Sequence, residues 1–258
     1  MIRTAYDESR VVRCRGCGLD YMWPLPDRID GIYEEDYFRA YQDAGMVFPT
    51  ESALHPRFAA RLRAVEQRRG RGRLLEIGVG HGAFLQYAAM AGWEVVGVEL
   101  SRYAAAHVRS QYGLTVIDGS IESAELPTAA FDMVHLSHVL EHLLDPLNAL
   151  RKIRTLLSPG GMVAIEVPNE LDNLHVRLKR LLGSDAAYPV RCTHITFFTP
   201  ATLRQMLQRA GYHVTQITTM RDATDRQLWR ALVKRAGGAI EAPLHVGPLI
   251  EALATSKD

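Results

Sequence analysis

A glycine-rich segment between an apolar run and an amphipathic run is the part of the chain best suited to hold a ligand. The apolar run Leu74 to Ile77 leads into Gly78, Gly80 and Gly82, and a helix is predicted from about residue 82 to 91. Glycine lets backbone amides approach a ligand closely, and the amides at a helix N-terminus carry partial positive charge. The segment therefore predicts a strand, a tight loop and a helix start that together hold an anionic group.

Two acidic residues narrow the choice of ligand. Glu99 ends the next predicted strand, at the offset where a carboxylate accepts hydrogen bonds from ribose hydroxyls. Glu76 lies two residues before the first glycine, where its charge would repel a pyrophosphate and attract an ammonium. S-adenosylmethionine (SAM) fits both acids, because it has an ammonium beside its carboxylate and a cationic sulfonium. A nicotinamide dinucleotide, which uses the same Gly-x-Gly-x-x-Ala spacing, and a purely structural turn stay open as alternatives.

Later strand ends supply further candidate contacts for this donor. After the third predicted strand, adenine is expected to lie against Ile121 and to bond to the backbone or to Ser120. Ser137 directly follows the fourth predicted strand, whose end should face the methyl donor. The complete set of predicted donor-binding residues is Glu76, Gly78, Gly80, Gly82, Glu99, Leu100, Ser120, Ile121 and Ser137.

The chain resembles the class I SAM-dependent methyltransferases, and in particular the small-molecule group that includes the quinone-biosynthesis O-methyltransferases. The resemblance covers about residues 70 to 220 and rests on motifs in a fixed order: LEIGVGHG from Leu75, GVELS from Gly97, FDMV from Phe131, LEHLLDP from Leu140, LSPGG from Leu157, EVPN from Glu166 and HITFFT from His194. It implies a SAM cofactor and a methyl-transfer activity.

Strand and helix patterns alternate along the middle of the chain. Predicted strands at 94–99, 114–118, 131–136 and 162–167 are interspersed with helices at 102–112 and 145–157, followed by a helix over 199–210 and a strand over 211–219. This alternation predicts the α/β class, with a doubly wound, mostly parallel Rossmann-like sheet and helices on both faces.

Three regions are expected along the chain. Residues 1–52 form an irregular N-terminal cap, residues 53–221 the SAM-binding domain, and residues 222–258 a helical C-terminal tail in which no closing antiparallel strand is evident. The cap contains an aromatic run from Tyr33 to Tyr41, which either covers the site or packs on the sheet.

Three histidines near strand ends are candidates for a catalytic base. Methyl transfer is an in-line displacement that needs a neutral or deprotonated nucleophile held against the methyl carbon. His138 follows the fourth strand and is the first choice; His194 comes second, after an apparent insertion over 170–191. His142 is third, because a helix-packing role is preferred for it. Structural roles stay open for all three histidines.

Two residue groups raise the question of a metal, and we predict that none is bound. The quinone O-methyltransferases that the chain resembles hold a divalent ion with a Glu-His pair and an acid three residues earlier. Glu141 and His142 match that pair, but His138 replaces the acid. Cys14 and Cys17 have zinc-knuckle spacing, yet a closed zinc site needs four ligands. A degenerate knuckle is the simpler interpretation.

Composition favours a small-molecule acceptor. The formal net charge of +1 provides no electrostatic footprint for nucleic acid, and no window is apolar enough for a membrane span. With three cysteines, the chain is expected in a reducing cytoplasm, and a homodimer is possible. We favour a hydroxyl oxygen as the acceptor atom. Transfer to nitrogen or carbon, a non-catalytic SAM-binding module and an NAD-dependent oxidoreductase stay as alternatives.

Overall fold

The computed structural model describes residues 10–25, 51–182, 194–220 and 247–257, and a seven-stranded sheet forms its centre. The strands are Arg10–Arg13 (β1), Asp20–Trp23 (β2), Arg73–Ile77 (β3), Glu94–Glu99 (β4), Val116–Asp118 (β5), Phe131–Ser137 (β6), Leu157–Pro168 (β7), Thr196–Phe197 (β8), Tyr212–Met220 (β9) and Leu249–Ser256 (β10). The helices are Glu51–Arg69 (α1), Ala83–Met90 (α2), Arg102–Tyr112 (α3), Pro146–Leu156 (α4), Leu174–Leu181 (α5) and Pro200–Arg209 (α6).

The order of the main sheet is β5-β4-β3-β6-β7-β10-β9. The five strands from β5 to β7 pair in parallel, whereas β10 is antiparallel to both of its neighbours. This confirms the predicted doubly wound α/β fold. The strand order reverses between β3 and β6, and open sheets of this kind bind ligands beyond the carboxyl ends of the strands at such a point.

Two apolar clusters cover the two faces of the sheet. Leu74 and Leu75 are neighbours on β3 but belong to different clusters, because successive side chains of a strand point to opposite faces. The cluster around Leu75 includes residues of α4 and α6, and the cluster around Leu74 includes residues of α1, α2 and α3. Helices therefore pack on both faces, as predicted.

Side-chain caps fix where several helices begin. The Ser101 hydroxyl accepts from the amide of Ala104 at the start of α3. Asp145 accepts from the amide of Asn148 at the start of α4, and Thr199 forms a capping box at the start of α6. These caps fix the residues at which the loop after β4 and the loops before α4 and α6 end.

The prediction of a helical C-terminal tail is wrong for its last part. Residues Leu249–Ser256 form strand β10, which is inserted between β7 and β9. Alanine, leucine and glutamate favour helix, and a strand that is buried on both faces lacks the polar alternation that identifies a strand in a sequence. Residues 221–246, which make up most of the predicted tail, lie outside the described residues.

The described part of the predicted N-terminal cap, residues 10–25, is more regular than expected. Strands β1 and β2 form an antiparallel hairpin, and β2 also pairs with β8, with Asp20 opposite Phe197. Cys14 and Cys17 lie in the turn of this hairpin, and both are free thiols. The aromatic run Tyr33 to Tyr41 lies outside the described residues. Within the described ranges, we find no helix with the length and apolarity to span a bilayer.

Candidate active site

The three glycines after β3 differ in what surrounds them, and so in why glycine is needed at each position. A Cβ on Gly78 would lie 2.3 Å from Cγ2 of Val139, and a Cβ on Gly82 would lie 2.9 Å from Cγ2 of Val108. A Cβ on Gly80 would have no heavy atom of the described residues within 4 Å. All three glycines have positive φ. Gly78 and Gly82 are therefore required by packing within the protein, and Gly80 is the glycine that leaves open space beside the loop.

Glu99 is joined directly to this loop. One carboxylate oxygen accepts from the amide of Gly80 at 2.8 Å, and the other accepts from the amide of Ser101 at 2.9 Å. Burial raises the pKa of Glu99, while these backbone amides oppose the rise. Each carboxylate oxygen has a second lone pair, so the group can still accept from ribose hydroxyls.

Glu76 is a buried carboxylate with one oxygen unsatisfied by the described residues. Its Oε1 lies 3.1 Å from Nδ1 of His135, and its Oε2 has no hydrogen-bond partner. Burial raises the pKa of Glu76 well above its usual range; the charge of Glu99 adds to this rise, and that of Arg61 opposes it. An ammonium beside Oε2 would satisfy the unpaired oxygen and favour the ionised form. The residues of this loop thus fit the amino-acid end and the ribose of SAM.

For the other predicted donor-binding residues, the contacts within the protein do not test whether they bind the donor. The Ser120 hydroxyl lies 3.3 Å from that of Ser123, and Ile121 is buried in the apolar core. The Ser137 hydroxyl donates to Glu166 at 3.3 Å, and Leu100 is half-buried after Glu99. An adenine contact with Ile121 would require part of this side chain to become accessible.

His138 carries a charge that a catalytic base should not have. Its Nδ1 lies 3.3 Å from Glu141 and its Nε2 lies 3.4 Å from Glu166. Burial would lower the pKa of His138, but the two carboxylates outweigh it and raise the pKa to about 10. A protonated imidazole cannot accept a proton, so the electrostatics disfavour His138 as the base. Catalysis by His138 therefore stays an untested prediction, and its charge favours a structural role.

His194 and His142 lie together in a buried group. Nδ1 of His194 lies 2.9 Å from Oε2 of Glu170, and the rings of His142 and His194 meet edge to face with centroids 4.7 Å apart. Glu141 is also buried, and its Oε1 lies 3.8 Å from Nε2 of His142. Glu170 was not predicted, because it lies at the start of an apparent insertion and belongs to no recognised motif.

The same group has the spacing of a possible metal site. Glu141, His142 and His194 each offer one ligand atom within 4.8 Å of the others. The set considered from sequence contained His138, whereas the set found among the described residues contains His194 in its place. Cys14 and Cys17 do not belong to any group of three possible ligands in the described ranges.

Val139 links these histidines to the donor loop. It directly follows His138 and precedes the 3₁₀ turn Leu140–His142, and its side chain occupies the space beside Gly78. The amide of Ile195 donates to the carbonyl of Glu141 at 2.8 Å, which joins the His194 segment to the same turn. The candidate base and the candidate donor site therefore lie at the same edge of the sheet.

A buried ionic network beneath this edge was missed from sequence. Arg61 on α1 donates to Glu166 on β7 and to Glu251 on β10, in each case at 2.6 Å, and its Nη1 lies 2.8 Å from Nε2 of His135 on β6. Arg57 also donates to Glu166. One signal was available: Arg61 interrupts the apolar spacing of Phe58, Leu62 and Val65 on the buried face of α1.

Comparisons with known proteins agree with this geometry. A family model described as "Methyltransferase domain" matches residues 50–217. A probable S-adenosylmethionine-dependent methyltransferase of Mycolicibacterium smegmatis is 28% identical over 187 residues, which cover 72% of this chain and 63% of that protein. A ubiquinone biosynthesis O-methyltransferase of Chromobacterium violaceum is 30% identical over 159 residues, covering 57% of this chain and 67% of that one. The chain thus spans about two thirds of the length of these relatives.

Solved structures show the same fold. The 1,6-didemethyltoxoflavin-N1-methyltransferase of Burkholderia thailandensis, with bound 1,6-didemethyltoxoflavin and S-adenosylhomocysteine, superposes with a TM-score of 0.61 at 18% identity, covering 97% of this chain and all of that one (100%). A SAM-dependent methyltransferase of Mesorhizobium loti superposes with a TM-score of 0.57 at 21% identity, covering 79% and 97% of the two chains. Because the family match over residues 50–217 includes β3, the donor loop and the histidine group, this chain belongs to the methyltransferase-domain family, among the class I SAM-dependent methyltransferases.

Proposed function

We propose that this protein transfers the methyl group of SAM to a hydroxyl oxygen of a small molecule, with His194 as the base. The observation that carries this proposal is the buried pair of His194 and Glu170, whose atoms Nδ1 and Oε2 lie 2.9 Å apart. A hydroxyl is a poor nucleophile until its proton is removed, whereas a neutral amine needs no base. A histidine oriented by a carboxylate beside the donor loop therefore favours oxygen as the acceptor atom.

The roles of the residues follow from their donors and acceptors. An ionised Glu170 only accepts, so Nδ1 of His194 carries the ring proton and Nε2 is left with a lone pair. Nε2 then takes the proton of the acceptor hydroxyl, and Glu170 stabilises the imidazolium that results. When bound, SAM supplies the electrophilic methyl group. Glu76 holds the ammonium of the donor, and Glu99 holds its ribose. The donor is thereby oriented for in-line attack by the acceptor oxygen on the methyl carbon.

The comparisons support an acceptor of this class. Several relatives at 30% identity or slightly more are named ubiquinone biosynthesis O-methyltransferases. The even charge balance of the chain also favours a small metabolite over a nucleic acid, and we place the protein in the cytoplasm on its cysteine usage. Transfer to nitrogen is the second candidate, because the fold of the N1-methyltransferase from B. thailandensis covers almost the whole chain.

A labelled-methyl assay against metabolite extracts tests the proposal. His194→Gln should lower turnover by about 10²-fold to 10⁴-fold while leaving SAM affinity unchanged, because the base acts only on the acceptor. Glu170→Gln should lower turnover less, since it removes the orienting carboxylate but leaves the imidazole. His213→Gln, at an exposed position on β9, is the matched control. Turnover of His194→Gln within about threefold of wild type would remove His194 as the base.

A chelator separates base catalysis from metal assistance at the same cluster. If His194 works as a base, turnover persists after treatment with a strong chelator and depends on pH through one basic group. Turnover that is lost with the chelator and restored by one divalent ion would assign Glu141, His142 and His194 to metal binding instead.

A further inference from the structure

A buried row of three side chains connects α1 to the carboxylate assigned to the donor. Nη1 of Arg61 lies 2.8 Å from Nε2 of His135, and Nδ1 of His135 lies 3.1 Å from Oε1 of Glu76. The three residues belong to α1, β6 and β3, and the exposed fraction of His135 is 1%. The row therefore ends on the carboxylate whose other oxygen lacks a partner among the described residues.

The donors and acceptors of this row define one tautomer of His135. A guanidinium only donates, so Nε2 of His135 must accept from Arg61. The ring proton then lies on Nδ1, where it donates to Oε1 of Glu76. Burial and the neighbouring charge of Arg61 lower the pKa of His135 well below its usual range, which keeps the ring neutral.

Two members of the row, Arg61 and His135, are held in place by other side chains. Arg61 donates to Glu166 and to Glu251, each at 2.6 Å, and these carboxylates raise its pKa against the effect of burial. The ring of Phe84 stacks on His135, with centroids 3.7 Å apart and an interplanar angle of 28°. Neither the arginine nor the imidazole can turn without breaking several contacts.

We propose that His135 and Arg61 are positioning residues for donor binding. Arg61 fixes the proton of His135 on Nδ1, and His135 then holds Oε1 of Glu76 so that Oε2 receives the ammonium of the donor. This inference rests on the donor site of the proposed function and is independent of the acceptor. It predicts that His135 controls affinity for the amino-acid end of the donor and leaves affinity for its nucleoside end unchanged.

Two substitutions of His135 separate the hydrogen bond from simple packing. In His135→Asn the amide nitrogen takes the place of Nδ1 and can still donate to Glu76. In His135→Gln the terminal amide takes the place of Nε2, and its oxygen can still accept from Arg61. No group is then left at the place of Nδ1 to donate to Glu76. Both replace a buried aromatic ring by a smaller amide, so they perturb the core in a similar way and serve as matched controls for each other.

Calorimetry with two ligands gives the readout. S-adenosylhomocysteine has the ammonium, whereas 5′-methylthioadenosine has the same nucleoside without it. His135→Gln should bind S-adenosylhomocysteine at least about tenfold more weakly than His135→Asn does, since a hydrogen bond to a charged group is lost. Affinity for methylthioadenosine should differ between the two variants by less than about twofold. An equal loss for both ligands in His135→Gln, or no difference between the variants, would overturn the proposal.

A measurement on the wild-type protein covers the case in which neither variant folds. Nitrogen-15 spectra of labelled histidines should show the ring that contacts Phe84 as neutral, with its proton on Nδ1. A proton on Nε2, or a charged ring at neutral pH, contradicts the proposal. Wild-type protein that binds neither ligand would instead refute the donor site itself, while a failure to methylate hydroxyls would affect only the acceptor assignment.

Discussion

His138 shows how neighbouring charges decide what one residue can do. It directly follows β6 in a left-handed conformation with φ of 55°, and its side chain is 46% exposed although it lies between two buried carboxylates. The raised pKa makes it a cation at neutral pH. Its role in this structure is therefore to neutralise Glu141 and Glu166 at the edge of the site.

This assignment predicts a pH-dependent contribution to stability. The pKa of His138 is higher in the folded state, at about 10, than its unfolded value of about 6.5. Its contribution is therefore complete below about pH 6.5 and is lost as the pH rises toward 10. His138→Gln should lower the free energy of unfolding by only about 1 kcal/mol near pH 6, because the His138 side chain is half-exposed to solvent, and by less near pH 10. Urea unfolding at the two pH values measures this difference.

The lower limit of this window comes from the carboxylates. The pKa of Glu166 and that of Glu141 are both held below their usual range by His138, against the effect of burial. Their contribution is present above about pH 4.5 and falls below it, so measurements should stay above that pH. A destabilisation by His138→Gln that is the same at both pH values would show that the loss comes from packing. His213→Gln, at an exposed position on β9, controls for the general effect of replacing a histidine.

Single residues were predictable from sequence where their role depends on the local chain. Glu76, Gly80 and Glu99 lie in or beside one loop, and their spacing already indicates a ligand. The charge of His138 depends on Glu166, which follows in a different strand, and only the register between β6 and β7 brings the two together. Glu170 was missed for the same reason, since its partner His194 lies beyond the apparent insertion.

At the scale of elements, strands with a helix after them were predicted well and β10 was not. Most of the parallel strands are separated by helices, and α3 and α4 begin at side-chain caps, so the change of period marks these boundaries. Strand β10 is antiparallel to both of its neighbours and lacks polar alternation, and it supplies Glu251, one of the two carboxylates that hold Arg61. The element that the sequence pattern hid is thus also the one that completes the buried network.

Strand β10 is expected to be part of the core and not an appendage. Leu253 is 2% exposed and lies opposite Ala164 of β7, so Leu253→Ala should cost about 2 to 5 kcal/mol of stability. Leu181→Ala is the matched control, because this leucine at the end of α5 is 82% exposed and its loss should change stability by less than about 0.5 kcal/mol. Chemical unfolding measures both, and equal small effects would contradict the observed strand.

At the scale of the whole molecule, the buried network joins distant parts of the chain. Arg61, on α1, contacts side chains of β6, β7 and β10. Through His135 it is also connected to β3. The hairpin of β1 and β2 is attached separately, through its pairing with β8. Because the donor site shares residues with this network, donor binding should stabilise the fold as a unit.

Ligand-dependent unfolding tests that coupling and the choice of cofactor together. A ligand at 100 times its dissociation constant stabilises the folded state by about 2.7 kcal/mol, which for a chain of this size raises the midpoint of thermal unfolding by about 5 to 10 °C. SAM and S-adenosylhomocysteine should produce this shift and NAD should not, because Glu76 opposes a pyrophosphate. Gly80→Ala is the control: its methyl group enters the open space beside the loop and should abolish the shift, at a cost of about 1 to 2 kcal/mol for the positive φ. A shift with NAD alone would reassign the chain to nicotinamide chemistry, and a full shift in Gly80→Ala would place the ligand elsewhere.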